Sequence, residues 1–102
     1  MIFQVFIYLY VVNRAPKEIE PSGGFVPAYE IANNGTLQFL NKQLSHGADP
    51  CHVAISPKGN YLLAANHRSG NITVFKINRE TGIPEFTGKQ IKIPAPVCIE
   101  FL

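Results

Sequence analysis

The sequence predicts an all-β fold made of short antiparallel strands, and three observations support this prediction. Apolar residues recur with a period of two, which is the spacing of a strand with one buried face. Gly, Pro and Asn interrupt the apolar runs every several residues, as they do at hairpin turns. Almost no stretch shows the period of about 3.6 residues that marks an amphipathic helix.

Eight strands follow from this pattern, each of them short and bounded by turn residues. The expected strands cover residues 4–13, 24–32, 37–45, 51–56, 60–67, 70–78, 85–93 and 97–102. The turn at Pro57–Gly59 offers a fixed φ and then a residue that tolerates a positive φ, and Asn33–Gly35 has similar turn chemistry. Links of hairpin length between so many strands favour antiparallel sheets.

The second half of the chain repeats the first half. Four pairs of segments match: YLYVVN (8–13) with YLLAAN (61–66), GFVPAYEI (24–31) with GNITVFKI (70–77), NGTLQFLNKQL (34–44) with TGIPEFTGKQI (81–91), and DPCHVAI (49–55) with APVCIEF (95–101). A four-strand unit that recurs about every 45 residues has the period of a β-propeller blade. Within this unit, CHVAIS would be the innermost strand beside the channel and PEFTGKQIKI the outer edge.

We therefore expect one partial β-propeller domain over residues 1–102, with about two four-stranded antiparallel blades. Residues 1–50 would form an incomplete blade, residues 51–96 one complete blade, and residues 97–102 the first strand of a further blade. Closed propellers have about four to eight blades. The chain would thus be a fragment, or assemble from several copies, or close as a smaller two-sheet sandwich.

Composition excludes several classes of partner. The formal net charge is +2 and the basic residues are scattered, so we expect no nucleic-acid partner. The apolar stretch 1–12 is shorter than the ~20 residues of a membrane-spanning helix and lacks the marks of a signal peptide, so we expect no membrane association.

The cysteine content favours an intracellular protein. Two cysteines, Cys51 and Cys98, are too few for a disulfide scaffold, and the three histidines do not complete a zinc-ligand pattern with them. We expect two reduced, buried thiols in a cytoplasmic protein. We also expect no metal and no other cofactor.

The segment GADPCHVAISPKGNYLLAANHRSGNITVFKI resembles a blade of the lactonase family of seven-bladed β-propellers. The matching positions are Gly47, Pro50, Cys51, His52, Pro57, Gly59, Ala65, Asn66, Ser69, Gly70, Phe75 and Ile77. The segment ETGIPEFTGKQIKIPAPVCIEFL is similar to the family's C-terminal ending, and the region before the blade is similar to a preceding blade. The resemblance therefore covers nearly the whole chain.

The resemblance implies a carboxylic-ester hydrolase of the 6-phosphogluconolactonase type, which opens a small sugar-phosphate lactone in the pentose phosphate pathway. The family also includes the carboxy-cis,cis-muconate cyclases. Because family members are much longer, we expect a fragment with little activity alone. A non-catalytic propeller scaffold or interaction module is the alternative, and a small stand-alone β-domain is a third possibility.

His52 is the candidate catalytic residue. Family blades carry histidine at the matching position, and the expected innermost strand would place it near the channel. Histidine can accept a proton near neutral pH and could activate water. It could instead contact substrate, or donate a hydrogen bond to the backbone of a neighbouring blade. Strand alternation predicts that Cys51 and Val53 lie on the face opposite His52.

His67, Arg68 and Glu100 are the candidate substrate-binding residues. His67 and Arg68 follow a strand end and could reach a phosphate from a loop, although solvated turn residues are also natural there. Glu100 matches Ala54 in the repeat and is therefore the nearest candidate for a channel carboxylate. Asp49 is expected to be a turn former before Pro50.

The predicted strand 4–13 is almost wholly apolar and has no upstream partner strand. An unpaired apolar edge is a template for pairing with another chain. We therefore expect self-association through exposed strand edges.

Overall fold

The computed structural model describes residues 7–14 and 23–102, and these residues contain strands and no helix. The strands are β1 (Ile7–Tyr10), β2 (Asn13–Arg14), β3 (Gly24–Ile31), β4 (Leu37–Leu44), β5 (Pro50–Ile55), β6 (Tyr61–Asn66), β7 (Asn71–Ile77) and β8 (Pro84–Lys92). The all-β prediction is confirmed.

Two antiparallel sheets hold these strands. In the second sheet β5, β6, β7 and β8 lie side by side in chain order. In the first sheet β3 is flanked by β4 on one side, while β1 and β2 lie end to end on its other side. The arrangement of β1/β2, β3 and β4 therefore corresponds to that of β6, β7 and β8.

The first predicted strand is split between β1 and β2, and Pro27 explains the break. Tyr10 pairs with Ala28, which places Pro27 opposite Val11. The Val11 N–H donates to the Pro27 carbonyl at 3.1 Å. Proline has no N–H to return, so the ladder is interrupted there. The opening residues of the predicted strand lie outside the described residues.

Strand registers confirm the internal repeat. Tyr29 on β3 pairs with Phe39 on β4, and the matching residue Phe75 on β7 pairs with Phe86 on β8. Each of these two pairings also contains a register shift next to the aromatic pair. Matching sequence segments therefore occupy matching places in the two sheets.

The hairpin turns use glycine at the position where the chain reverses. The Gly35 N–H donates to the Ala32 carbonyl at 2.9 Å, and the Gly59 N–H donates to the Ser56 carbonyl at 2.8 Å. Their φ angles are 86° and 77°, which glycine adopts without the steric cost that a Cβ would impose. These turns set the register of the strands that follow.

The core lies between the two sheets. Leu62 and Phe75 are fully buried, and each such side chain contributes roughly 1.5–3 kcal/mol of transfer free energy. The buried cluster and the side chains packed against it are Val26, Leu62, Ala64, Phe75, Ile77, Tyr10, Val12, Val53 and Phe86. This core fixes the second sheet against the first sheet, and with it β5, which the sequence predicts to be the inner strand.

Residues 97–102, predicted as a strand, form none in the structure. A strand needs a neighbouring strand to satisfy its backbone N–H and carbonyl groups. Within residues 7–14 and 23–102, no strand forms ladder hydrogen bonds with this segment, and its side chains Val97 and Leu102 are exposed. The division of the chain into blades at residues 50 and 96 stays a prediction.

Candidate functional site

The inner strand β5 carries a β-bulge at Cys51. Pro50 pairs with Asn66 and His52 pairs with Ala65, so Cys51 is an extra residue without a partner on β6. A bulge re-aims the side chains beside it and breaks the simple alternation of a strand. The predicted separation of Cys51 and His52 onto opposite faces fails at this bulge.

Both bulge side chains contact the segment that follows β8. The Cys51 Sγ lies 3.4 Å from the Pro96 carbonyl oxygen. The His52 Nε2 lies 3.3 Å from the Ile99 carbonyl oxygen and 4.0 Å from the Cys98 Sγ. His52 is half-buried. The imidazole therefore links the inner strand to the backbone of the next segment.

The two thiols are free, but the prediction that they are buried is wrong. Cys51 and Cys98 are both exposed. Cys51 is turned out of the sheet by the bulge, and Cys98 lies in the segment that forms no strand. Neither thiol is packed in the core between the sheets.

Asp49 joins the two sheets at one end of the strands. Its backbone has a φ of 63°, and its side chain is 14% exposed. The carboxylate forms an ion pair with Arg14 at the end of β2. Its second oxygen lies 3.9 Å from the His67 Nδ1. Asp49 is therefore more than the turn former that the sequence predicted.

The turn after β6 is tied to the loop before β5 by backbone hydrogen bonds. The His67 N–H donates to the Asp49 carbonyl at 3.0 Å, and the Arg68 N–H donates to the Ala48 carbonyl at 3.1 Å. The Ala48 N–H donates to the Ser69 Oγ at 2.8 Å. This bracing places the His67 and Arg68 side chains at the same end of the sheet as Asp49.

A network of buried hydrogen bonds also stabilises the loop between β4 and β5. The Thr73 hydroxyl donates to the Ser45 carbonyl at 2.7 Å, and the Asn66 Nδ2 donates to the Thr73 Oγ1 at 3.3 Å. Ser45, Asn66 and Thr73 are fully buried. These hydrogen bonds stabilise one conformation of the loop, while the buried Asn66 Oδ1 has no hydrogen-bond partner among the described residues.

The remaining predicted residues are not brought to His52. Arg68 and Glu100 are exposed, and Glu100 directly follows Ile99. Within residues 7–14 and 23–102, no hydrogen bond or ion pair joins the side chain of Arg68 or Glu100 to His52. The structure therefore places two separate groups, His52 with the segment after β8 and His67 with Asp49.

The role of Arg14 was not predicted, although the repeat carries a signal for it. The match of YLYVVN with YLLAAN aligns Asn13 with Asn66, and the next residues are Arg14 and His67. The side chains of both residues approach Asp49. The equivalent strand ends of the two sheets thus meet at one carboxylate.

A cavity of about 320 Å³ lies at the opposite end of the strands. The Tyr10 hydroxyl donates to the Gly82 carbonyl at 2.6 Å near this end. Burial, and to a lesser extent the neighbouring Tyr8, raises the pKa of Tyr10 to about 12. None of the predicted site residues lines the cavity, whose walls are Tyr8, Tyr10, Gly59, Ile77 and Arg79.

Over residues 7–14 and 23–102, no group of three or more His, Cys, Asp or Glu side chains is arranged to hold a metal ion. Over the same residues, no helix is long and apolar enough to cross a membrane.

Two four-stranded antiparallel sheets, one of them with its strands in chain order, are typical of propeller blades, and comparison with known proteins identifies the family. The model of the lactonase family, described as a seven-bladed β-propeller, matches residues 6–101. The chain therefore belongs to the lactonase family of seven-bladed β-propellers.

Relatives and solved structures agree with this assignment. The 6-phosphogluconolactonase of Bacillus subtilis is 38% identical over 73 residues, which are 71% of this chain and 20% of that protein. The crystal structure of a Bacteroides uniformis protein assigned as a 6-phosphogluconolactonase is similar, with a TM-score of 0.82 and 35% identity. That match covers 93% of this chain and 26% of the other chain. The chain thus spans about a fifth to a quarter of the relatives that it matches.

Proposed function

We propose that the two sheets contribute to a lactonase that hydrolyses a sugar-phosphate lactone, 6-phosphogluconolactone, to its open-chain acid. The observation that carries the proposal is the family match over residues 6–101 together with the relatives named 6-phosphogluconolactonase. We also propose that the protein is cytoplasmic, which the two free cysteines support. The reaction would then belong to the pentose phosphate pathway.

The reaction needs a proton acceptor and anion-binding groups. Water adds to the ring carbonyl carbon and loses a proton, while the bond from that carbon to the ring oxygen breaks and the ring oxygen gains a proton. The carboxyl group that results releases a proton to become the carboxylate. Arginine and histidine side chains can bind the phosphate, and backbone or side-chain donors can stabilise the oxyanion.

In this proposal His52 is the proton acceptor. Its Nε2 is directed at the Ile99 carbonyl, and that contact would hold the ring and leave the other nitrogen to take the proton from water. His67 and Arg68 would bind the phosphate from their exposed turn, and Glu100 would accept hydrogen bonds from sugar hydroxyls. The remaining groups would come from other blades of the propeller, because inner strands of several blades meet at the channel.

A non-catalytic propeller module is the second candidate function. The observation that favours it is that two of the proposed site residues already have partners within the chain. His52 contacts the Ile99 carbonyl, and His67 lies beside the Asp49 carboxylate. In that case these residues stabilise blade packing and bind no substrate.

A chimera tests the lactonase proposal against this alternative. The segment of the Bacillus subtilis 6-phosphogluconolactonase that corresponds to residues 6–101 is replaced by those residues. We expect a folded chimera that hydrolyses 6-phosphogluconolactone well above its spontaneous rate, because the grafted segment would supply the proposed site residues His52, His67, Arg68 and Glu100. A chimera that folds cooperatively but shows only the spontaneous rate would contradict the proposal and favour the non-catalytic module.

A further inference from the structure

Two thiols and one imidazole lie together where β5 contacts the segment after β8. The Cys98 Sγ lies 4.0 Å from the His52 Nε2. The Cys51 Sγ lies 3.4 Å from the Pro96 carbonyl oxygen and 3.9 Å from the Val97 carbonyl oxygen. Both thiols are free. The fold therefore brings two nucleophilic side chains to one place, although they are far apart in the sequence.

The two cysteines are close enough for a bond between their sulfurs to need only a small approach. The Val97 carbonyl belongs to the peptide unit that leads into Cys98, so the Cys51 Sγ lies within about 7 Å of the Cys98 Cα. In a disulfide this distance is about 4 Å. The bulge leaves Cys51 without a partner on β6, so a shift of its backbone breaks no residue pair. An approach of about 3 Å or less is therefore sufficient.

The neighbours of the two thiols differ in the form of sulfur that they stabilise. The Cys51 sulfur lies 3.4–3.9 Å from three backbone carbonyl oxygens. A carbonyl oxygen accepts a hydrogen bond from S–H and can donate none to a thiolate. The His52 Nε2–H, which the Ile99 carbonyl can accept, can also be donated to a thiolate at Cys98. Cys98 is thus the cysteine whose nucleophilic form has a donor beside it.

We propose that Cys51 and Cys98 form a reversible disulfide on reaction with hydrogen peroxide. The Cys98 thiol loses its proton and the thiolate attacks one peroxide oxygen. The O–O bond breaks, and the other oxygen takes up the proton and leaves as water. The Cys98 sulfur is then a sulfenic acid.

Cys51 completes the reaction as the resolving cysteine. Its thiol loses a proton, and the thiolate attacks the sulfenic sulfur of Cys98. The S–O bond breaks, and the oxygen takes up the proton and leaves as a second water. Two thiols are oxidised to one disulfide, and one peroxide is reduced to two waters.

The disulfide ties the start of β5 to the segment after β8 and so encloses the whole second sheet. It also withdraws the Cys98 sulfur from His52, whose Nε2–H then remains with the Ile99 carbonyl. A cross-link that spans so much of the chain restricts the unfolded state and stabilises the folded one. The proposal rests on these contacts alone, and it does not depend on lactonase activity.

Thiol counting and mass spectrometry test the pairing. The reduced chain is treated with equimolar hydrogen peroxide, and its thiols are counted with a thiol-reactive dye. We expect both thiols to disappear, with a mass loss of about 2 Da for the two hydrogens removed. Digestion should release a peptide pair linked through Cys51 and Cys98, and dithiothreitol should restore both thiols. The thermal midpoint of the oxidised chain should lie about 5 °C or more above that of the reduced chain.

Single variants test the order of the steps. In Cys51→Ser, peroxide should leave Cys98 as a sulfenic acid that dimedone labels. In Cys98→Ser, Cys51 should react several-fold more slowly, because its neighbours are acceptors. His52→Ala should slow the oxidation of Cys98, whereas His52→Gln, which keeps a donor, should not. Peroxide should leave the thermal midpoint of both serine variants unchanged.

Three results would overturn the proposal. The first is a folded wild-type chain that keeps both thiols after peroxide treatment. The second is a disulfide between two copies in place of the internal one. The third is a Cys51 that reacts faster in Cys98→Ser than Cys98 does in Cys51→Ser, because the assigned order would then be wrong. If circular dichroism shows that a serine variant does not fold, the corresponding alanine variant replaces it.

Discussion

The His52 imidazole and the Ile99 carbonyl oxygen lie 3.3 Å apart, although 47 positions separate the two residues in the chain. The contact joins the inner strand β5 to the segment that the repeat marks as the next inner strand. A neutral imidazole with hydrogen on Nε2 donates this hydrogen bond and retains a lone pair on the other nitrogen. The same contact therefore serves the structural role and the proposed catalytic role.

Substitution of His52 in the chimera separates these two roles. The Gln side chain can donate a hydrogen bond to the Ile99 carbonyl but cannot accept a proton from water. If His52 is the base, His52→Gln should keep the stability of the chimera and lower kcat by about a hundredfold or more.

The His52→Ala variant is the matched control for that experiment. It should lose both the hydrogen bond and the activity, with a stability cost of about 0.5–1.5 kcal/mol in urea unfolding. A His52→Gln variant with full activity would show that the histidine acts only through its contact with Ile99.

Gly47 packs directly against Asn66, and we predict that a side chain there destabilises the chain. A Cβ at Gly47 would lie 2.5 Å from the Asn66 Cγ and 2.6 Å from its Cβ. Gly47→Ala should therefore lower the free energy of unfolding by about 1–3 kcal/mol in urea denaturation.

The double variant checks the cause of that loss. Asn66→Gly removes the three atoms that lie nearest the new Cβ, so the two substitutions together should cost less than the sum of the single costs. Strictly additive costs would show that the close approach of Gly47 to Asn66 is not the reason.

The Tyr10 hydroxyl gives the chain a pH-dependent contribution to stability. Its pKa is raised from 10.0 to about 12, chiefly by burial. Because the folded state holds the proton more tightly than the unfolded state, the contribution is present below about pH 10. It is lost as the pH rises through about 12.

Spectroscopic titration of the phenolate measures this effect. The native chain should show a late ionisation step near pH 12 that is missing in Tyr10→Phe, and its stability should fall more steeply than that of the variant between pH 10 and 12. If Tyr10→Phe lost an ionisation step near pH 10 but kept the step near pH 12, the late step would belong to a residue other than Tyr10.

The repeat made most of the fold predictable from the sequence. Segments such as GFVPAYEI and GNITVFKI predicted β3 and β7 within a residue of their observed bounds. Local alternation and turn chemistry were sufficient there, because each strand has its partner in the next hairpin. The same reasoning could not find the break opposite Pro27, since the register between strands is not visible in either strand alone.

The site was less predictable because its contacts are long-range. The bulge at Cys51 depends on how β5 fits β6, and it changed the direction of the thiol. The Arg14–Asp49 ion pair joins the end of β2 to the loop before β5, and single-sequence patterns do not report such pairs. His52, in contrast, is identified by its position in the family pattern. A hydrogen bond from His52 to the backbone of a neighbouring blade is among the roles that the sequence analysis gives it.

The central claim is that these two sheets supply part of a lactonase site that several blades share. The most direct measurement is the rate of 6-phosphogluconolactone hydrolysis by the isolated chain, with His52→Ala measured in parallel. We predict the spontaneous rate for both, because the proposed site needs residues from other blades of the propeller, which these two sheets do not supply. Turnover well above the spontaneous rate that His52→Ala abolishes would contradict the claim and place a complete site within this chain.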